Sequence, residues 1–262
     1  MKDFKQHIIN NTFSVREVLA RLDELASDAS LFLVAQNKKL LGSLTDGDVR
    51  RGLIRGLGLE DEIAKFVKTD PKFLREGEFS IETIQQWRAK DYKLIPVLNK
   101  DHHIIEIINL RVQKSRLPID AVIMAGGKGT RLRPMTLNTP KPLIKIGDKP
   151  IVEYNIDQLK NYGVRNITLS IAYLGQQLID YFGTGVERGL NINYVTEDKP
   201  LGTIGAAKQI KEFHNDYVLV MNSDLLTNID FEDMLKELME QDGEMIVSTC
   251  PYEGKVPYGV IE

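Results

Sequence analysis

Residues 122–143 read VIMAGGKGTRLRPMTLNTPKPL, and here the residue types suited to chemistry crowd together. An apolar run meets Gly126, Gly127 and Gly129, then Arg131 and Arg133, then a Pro-flanked segment carrying Lys141. Glycines permit positive φ and let a ligand come close to backbone N–H groups, while fixed cations supply charge from the side chains. Phosphate suits both features. The two common phosphate loops do not fit, however. A dinucleotide-binding turn needs a third glycine where Leu132 stands, and a Walker A loop needs Gly-Lys-Ser/Thr where this chain has Gly127-Lys128-Gly129. Helix-end and backbone donors contribute only on the order of 0.3–2 kcal/mol to anion binding. A polyphosphate held here therefore needs side-chain cations and a metal. Arg131 and Lys141 are placed for the first role, Arg133 less directly.

Metal asks for a carboxylate at a strand end, and YVLVMNSDLL delivers one in Asp224. Taken alone, the same side chain serves equally to organise the following turn. The four histidines, His7, His102, His103 and His214, form no constellation and read as surface or turn residues. A single cysteine, Cys250, excludes an internal disulfide; within MIVSTC it reads as a buried, inert thiol, and a reducing cytoplasm is the expected location.

These groups need a scaffold to bring them together. The 262 residues suffice for two domains, with a seam near QKSRLPID, residues 113–120. Beyond it, strands are expected at 119–124, 166–172, 192–196, 217–221 and 245–250. Helices are expected at 151–162, 174–183, 203–213 and 231–241. Pro150 stands near the start of the first helix and Gly163 just past its end; Asp230 is expected to cap the last and Gly243 to close it. Strand and helix in alternation signal an α/β layer with a mainly parallel sheet, whose ligands gather beyond the carboxyl ends of its strands. Before the seam the chain repeats itself faintly. LFLVAQNKKLLGSLTDGDV (31–49) aligns with LIPVLNKDHHIIEIINLRV (94–112), each an apolar strand, a polar turn and a second strand running into a helix.

Composition excludes several classes. Apolar residues make up 42% and charged residues 27%, with no long uncharged apolar run, so a membrane-spanning helix is not expected. The start, MKDFKQHIIN, lacks the apolar stretch of a signal peptide. Net charge is +3 over residues 1–117 and −6 over 118–262, without the dense basic face of a nucleic-acid binder.

The stretch AGGKGTRLRPMTLNTPKPL resembles the G-G-x-G-T-R-L-x-P…P-K-P-L signature of the sugar-1-phosphate nucleotidyltransferases. That resemblance implies a Rossmann-like, mainly parallel sheet domain over 118–262. It further implies Mg²⁺-dependent transfer of a nucleotidyl group from a nucleoside triphosphate to a sugar 1-phosphate, giving an NDP-sugar and pyrophosphate. Ala125, Gly126, Gly127, Gly129 and Thr130 would then touch the nucleotide, Arg131 and Lys141 the phosphates, and Asp224 would be catalytic as the Mg²⁺ ligand. VTEDKPLGTIGAAKQ (195–209) resembles the segment that reads the base, through Glu197, Gly202 and Thr203. A carboxylate accepts from both N1–H and N2–H₂ of guanine, whereas uracil and thymine offer one donor flanked by carbonyl oxygens. GTP is the expected donor; the other reading leaves Glu197 in solvent and assigns the base to the Gly202-Thr203 backbone.

Residues 1–115 resemble a tandem pair of cystathionine-β-synthase (CBS) domains. Thr45 and Asp48 of the first copy match the family's adenine-nucleotide motif. The second copy has Glu106, Asn109 and Val112 at the positions of Gly42, Thr45 and Asp48. Alternatively, Thr45 and Asp48 cap a helix starting at Val49. CBS pairs commonly associate, so a homodimer is an expectation of the same resemblance. The family's later sugar-contacting segment and second metal aspartate have no counterpart here, and the transferase portion is expected to be C-terminally incomplete. CBS modules ahead of a transferase with Glu197 resemble the glucosamine-1-phosphate guanylyltransferases of legionaminic acid synthesis. Mannose or heptose 1-phosphate remains the alternative acceptor, and a catalytically silent nucleotide sensor the non-enzymatic reading.

Overall fold

A computed structural model of the chain describes residues 4–197, 202 and 204–249. They fall into two compact units that meet in sequence between Leu226 and Thr227. The repeat expected before the seam exists in three dimensions. Strand β1 (Ile8–Asn10) pairs in parallel with β2 (Ser30–Val34), which pairs antiparallel with β3 (Leu40–Thr45). In the second copy β4 (Leu74–Arg75) pairs in parallel with β5 (Leu94–Leu98), itself antiparallel to β6 (Ile104–Asn109). Ser30↔Thr45 and Leu94↔Asn109 occupy equivalent places in the two hairpins, and each register slips near the far end, at Leu33/Val34 and Val97/Leu98. Helix α1 (Val15–Glu24) opens on a capping box, with Glu17 N–H donating to Ser14 Oγ at 3.2 Å and Ser14 N–H to Glu17 Oε2 at 2.8 Å. It buries Val15, Val18 and Leu22, each such side chain contributing about 1.5–3 kcal/mol.

Three expectations fail in this half. Helix α2 (Asp46–Ile54) follows β3 directly, three residues earlier than expected, but no helix follows β6. Asn109 diverts the chain: its Oδ1 accepts from Arg111 N–H at 3.0 Å and its Nδ2 donates to Asp28, and Gln113 N–H turns back to its carbonyl. Local side-chain bonds of this kind compete with helix. His7, read as a surface or turn residue, is 1% exposed, with Nδ1 2.9 Å from the Ser30 carbonyl. Helix α3 (Ile81–Ala89) completes the half, capped by Ser80.

After the seam comes β7 (Ile119–Met124), then the short hairpin β8 (Lys145–Ile146) and β9 (Lys149–Pro150). The remaining elements of the first unit are α4 (Ile151–Asn161), β10 (Asn166–Ile171), α5 (Gly175–Phe182), β11 (Asn191–Thr196) and β12 (Tyr217–Asn222). The four long strands form a wholly parallel sheet in the order β11-β10-β7-β12. The chain winds outward from β7 to β11 and then returns to β7's other side. The topological switch point thus falls between β7 and β12, where ligands of such sheets bind. At the opposite end, buried Asp120 accepts from Asn166 Nδ2, His214 N, Asn215 N and Asn215 Nδ2 at 2.5–3.2 Å, fastening the strand starts.

Between β11 and β12 the helix expected over 203–213 is only a 3-10 segment, Gly205–Gln209. Its one buried residue is Ala206, too little apolar face to sustain a longer helix. Helix α6 (Phe231–Glu240), in the second unit, begins at Asp230, whose Oδ1 accepts from Glu232 N–H and Asp233 N–H. It ends in a Schellman motif: Asp242 takes the left-handed conformation at φ +49, and Gly243 N–H closes onto Leu238 O at 3.1 Å. The left-handed residue is Asp242, therefore, and not Gly243. No strand forms over 245–249, where Met245 and Val247 are exposed; Cys250 lies outside the described residues. An apolar run without a neighbouring ladder does not make a strand, and periodicity alone cannot reveal that. Among the described residues no helix is long and apolar enough to cross a membrane.

The seam is a hydrogen-bonded junction. The carbonyls of Asn161, the last residue of α4, and of Tyr162, its C-cap, accept from Lys114, Ser115 and Leu117 N–H at 2.6–3.3 Å. Glu106 pairs with Arg116 at 3.3 Å and with Arg165 at 3.6 Å. Gly163 sits at φ +79, and a Cβ there would lie 2.5 Å from Ser115 O and 2.6 Å from Arg116 Cα. Gly163→Ala is expected to destabilise the fold by at least about 2 kcal/mol, since left-handed strain alone costs about 1–2 kcal/mol. Urea unfolding monitored by circular dichroism checks it, and a loss below 0.5 kcal/mol, on the order of an ordinary surface change, contradicts it.

Candidate functional site

At the carboxyl end of β7, Ala125 N–H reaches the Ser170 carbonyl at 2.8 Å, one residue past the strand. The chain then leaves the sheet through Gly126 and Gly127. A Cβ on Gly126 would meet Ala172 Cβ at 3.2 Å and Glu197 Oε1 at 3.5 Å, so glycine keeps the two walls close. Around Gly127 such an atom would meet nothing within 4 Å: its backbone faces open space. Gly129 turns the loop back at φ +59, with Thr136 Oγ1 donating to its carbonyl at 2.8 Å. A side chain at Gly129 would come within 2.9 Å of Thr136 Cγ2 and 3.1 Å of Lys141 Cβ. Tyr173 OH and Gln177 Nε2 donate to the carbonyls of Leu137 and Asn138, tying the descending loop to the segment after β10. Pro140 and Pro142 then frame a single 3-10 turn that presents Lys141.

From the far side of the switch point, β12 delivers Asn222, Ser223 and Asp224. Ser223 N–H donates to Met124 O at 3.2 Å, and buried Asn155 of α4 donates to Ser223 O at 3.1 Å. Asp224 Oδ2 forms an ion pair with Lys141 Nζ, each side chain about one-third exposed. Glu197 follows β11, its N–H on Ile171 O at 2.9 Å and its Oε1 accepting from the buried hydroxyl of Ser170.

One cavity of about 860 Å³ collects most of these groups. Ala125, Gly126, Gly127, Lys141, Glu197, Gly202 and Asp224 line it. Gly129, Thr130 and Arg131 do not: Gly129 shapes the loop from behind, while Thr130 and Arg131 stand exposed on the 3-10 turn Thr130–Leu132. Thr203 lies outside the described residues. The wall also includes Lys128 and Tyr173, which sequence reasoning passed over. Lys128 was legible as the cation between two loop glycines; Tyr173 comes from a different strand end and has no local signal. Chemically, the cavity offers bare backbone, two lysines and one strand-end carboxylate on one side and a second carboxylate on another. Among the described residues no three His, Cys, Asp or Glu side chains cluster to hold a metal unaided. Asp224 can thus supply one hard oxygen donor to a cation whose other ligands come with a bound anion.

A second cavity, of about 450 Å³, lies in the N-terminal half and contains Thr45 and Asp48 in its wall, with Arg51, Lys68, Lys72 and Lys93. Thr45 N–H and Oγ1 donate to Asp48 Oδ2 at 2.9 and 2.6 Å, and Arg51 pairs with Oδ1 at 2.5 Å. Asp48 therefore closes the start of α2 and faces the cavity at once. Burial pushes its pKa up, but the bonds from Thr45 and Arg51 outweigh that, and the carboxyl lies below its ordinary value.

The Nucleotidyl transferase family model matches residues 120–262. The mannose-1-phosphate guanylyltransferase catalytic subunit beta of Danio rerio is 34% identical over 145 residues, which cover 54% of this chain and 40% of that protein. The mannose-1-phosphate guanylyltransferase of Mycobacterium tuberculosis is 37% identical over 118 residues, covering 45% and 33%. The chain thus spans 40% or less of the length of these two relatives. Among solved structures, HddC from Yersinia pseudotuberculosis complexed with GMP-PN is 30% identical, with 46% of this chain and 54% of that one covered and a TM-score of 0.39.

The lowered pKa of Asp48 has a sign that can be tested. A carboxyl depressed in the folded state contributes stability above its unfolded pKa and loses it as pH falls through the folded one. Asp48→Asn is expected to lower stability by about 0.5–2 kcal/mol at pH 7, the size of a helix-capping loss, with the difference shrinking below about pH 4. Urea midpoints at pH 7 and pH 3 measure it; equal deficits at both would contradict the ionic origin.

Proposed function

The chain belongs to the nucleotidyl transferase family over residues 120–262, and on that premise we propose that its larger cavity holds a magnesium nucleoside triphosphate, with GTP preferred. We further assign it transfer of the nucleotidyl group to a sugar 1-phosphate. One observation carries the reading: Gly126, Gly127, Lys141 and Asp224 meet in one cavity at the switch point of a parallel sheet. In the reaction, an oxygen of the sugar phosphate forms a bond to the α-phosphorus as the bond to the β-phosphate oxygen breaks, releasing pyrophosphate. The attacking phosphate is already an anion, so no general base is needed. The demand on the protein is positioning and charge stabilisation. Backbone N–H groups of the glycine loop would face the phosphates, and Lys141 would turn to them on leaving Asp224. Asp224 would hold Mg²⁺, which when bound neutralises phosphate charge. Its donor set fits that ion, which commonly takes one or two carboxylates alongside substrate phosphates.

Glu197, in the cavity wall, is suited to accept both guanine donors, and the names of the two guanylyltransferase relatives support the same base. Glucosamine 1-phosphate is our proposed acceptor from the order of the modules, with mannose and heptose 1-phosphates as the comparison. The smaller cavity favours a second ligand: three lysines and Arg51 beside Thr45 and Asp48 suit the phosphate and ribose of an adenine nucleotide.

Calorimetric titration tests these assignments. With Mg²⁺ present, GTP is expected to bind roughly ten- to a hundredfold more tightly than UTP, the worth of one additional hydrogen bond to a charged group. Glu197→Gln should abolish most of that preference, and equal affinities in the unaltered chain would sink guanine selection. Asp224→Asn is expected to weaken GTP binding at least about tenfold in Mg²⁺ while leaving metal-free binding little changed. An unaltered Mg²⁺ dependence in that variant removes Asp224 as the metal ligand.

A further inference from the structure

Ser170 lies one residue before the end of β10 and is completely buried, at 0% exposure. Its carbonyl and its hydroxyl each bond a lining residue of the larger cavity. The carbonyl accepts from Ala125 N–H, where the glycine loop begins, and the hydroxyl donates to Oε1 of Glu197. On the flanking strands, Ser170 is in register with Met124 of β7 and Val195 of β11. It therefore bridges the strand that leads to the phosphate loop and the strand that leads to the carboxylate.

A buried hydroxyl must find a partner, and here the partner is a flexible side chain in a ligand cavity. Glutamate loses considerable rotamer freedom when it is fixed. A donor held rigidly in the sheet imposes that order before a ligand arrives, which is how preorganisation raises affinity. Gly126 completes the enclosure, because a Cβ there would stand 3.5 Å from the same Oε1. Each carboxylate oxygen has two acceptor directions, so Oε1 can keep the Ser170 bond and still accept from a base.

We propose that the Ser170 hydroxyl is a positioning group for nucleotide selection: it orients Glu197 so that both carboxylate oxygens face a base carrying two adjacent donors. The proposal rests on the reading of Glu197 as the base-reading residue. Ser170 acts through that side chain and does not itself touch the nucleotide. Ser170→Ala removes the hydroxyl while keeping the carbonyl that holds Ala125, which isolates the effect.

The test measures Kd for GTP and UTP, each with Mg²⁺, in four forms of the chain: unaltered, Ser170→Ala, Glu197→Gln and the double variant. Ser170→Ala is expected to weaken GTP about five- to tenfold and UTP less than twofold, with folding verified by thermal melting. In the Glu197→Gln background it should move the GTP/UTP ratio less than twofold. Equal weakening of both nucleotides by Ser170→Ala, or an unchanged ratio while Glu197→Gln lowers it, overturns the positioning role alone. A ratio unchanged by Glu197→Gln overturns the base reading and the positioning role with it.

Discussion

The fold rests on a constraint at the carboxyl end of β7, where the chain must leave the sheet between two parallel neighbours. β10 runs along one side and β12 along the other, and both end where β7 ends. The chain passes from β7 to β10 and β11 on one side and returns as β12 on the other, so the crevice left there is a product of winding order. Side chains at the exit would fill the crevice. Gly126 clears the approach of Ala172 and Glu197, and Gly129 clears that of Thr136 and Lys141. The glycines thus make room for backbone first, and availability to a ligand follows from it.

Charge in the cavity is arranged as an exchangeable pair. Lys141 and Asp224 reach each other from two different loops, and each is about one-third exposed. Ion pairs with that access to water contribute about 0–1 kcal/mol, so separating them costs little. On the proposed reading, an incoming polyphosphate with its counter-cation would offer a new partner to each. Holding opposite charges together in the meantime avoids a cavity with uncompensated charge on either wall.

Long, strongly patterned elements were legible in the sequence and short or relational ones were not. β7 was expected and found at 119–124, and α4 and α6 fall within one residue of their expected spans, because periodic apolar positions and end signals act locally. The run at 245–249 and the segment at 205–209 misled for a shared reason: each has the composition of a regular element but lacks the burial to sustain one. Asn109 replaced a helix by bonding to Asp28, eighty-one positions away in the chain, which no window of sequence reveals. In the site, Gly126, Gly127, Lys141 and Asp224 could be named from their own segments. Ser170 could not, since its significance depends on which strands flank β10 and on what its hydroxyl meets.

Helix α4 connects these levels of organisation. Its first residue, Ile151, donates its N–H to Ile144 O at 3.0 Å, immediately after the turn that presents Lys141. Midway along, Asn155 holds the carbonyl of Ser223, the residue before Asp224. Its last carbonyls are completed by the N–H groups of Lys114, Ser115 and Leu117. Helix ends without partners are costly when buried, and those three donors come from the segment leaving the N-terminal half. The second repeat contributes further: Glu106, at the place where the first has Gly42, pairs with Arg116 and Arg165 on the two sides of α4 in sequence. The second repeat, through Glu106, thereby supports the segments on either side of the helix that contacts the neighbours of Lys141 and Asp224. A single rigid element joins the seam to the carboxyl ends of the sheet, which ties the placement of Lys141 and Asp224 to packing more than twenty residues away from either in sequence.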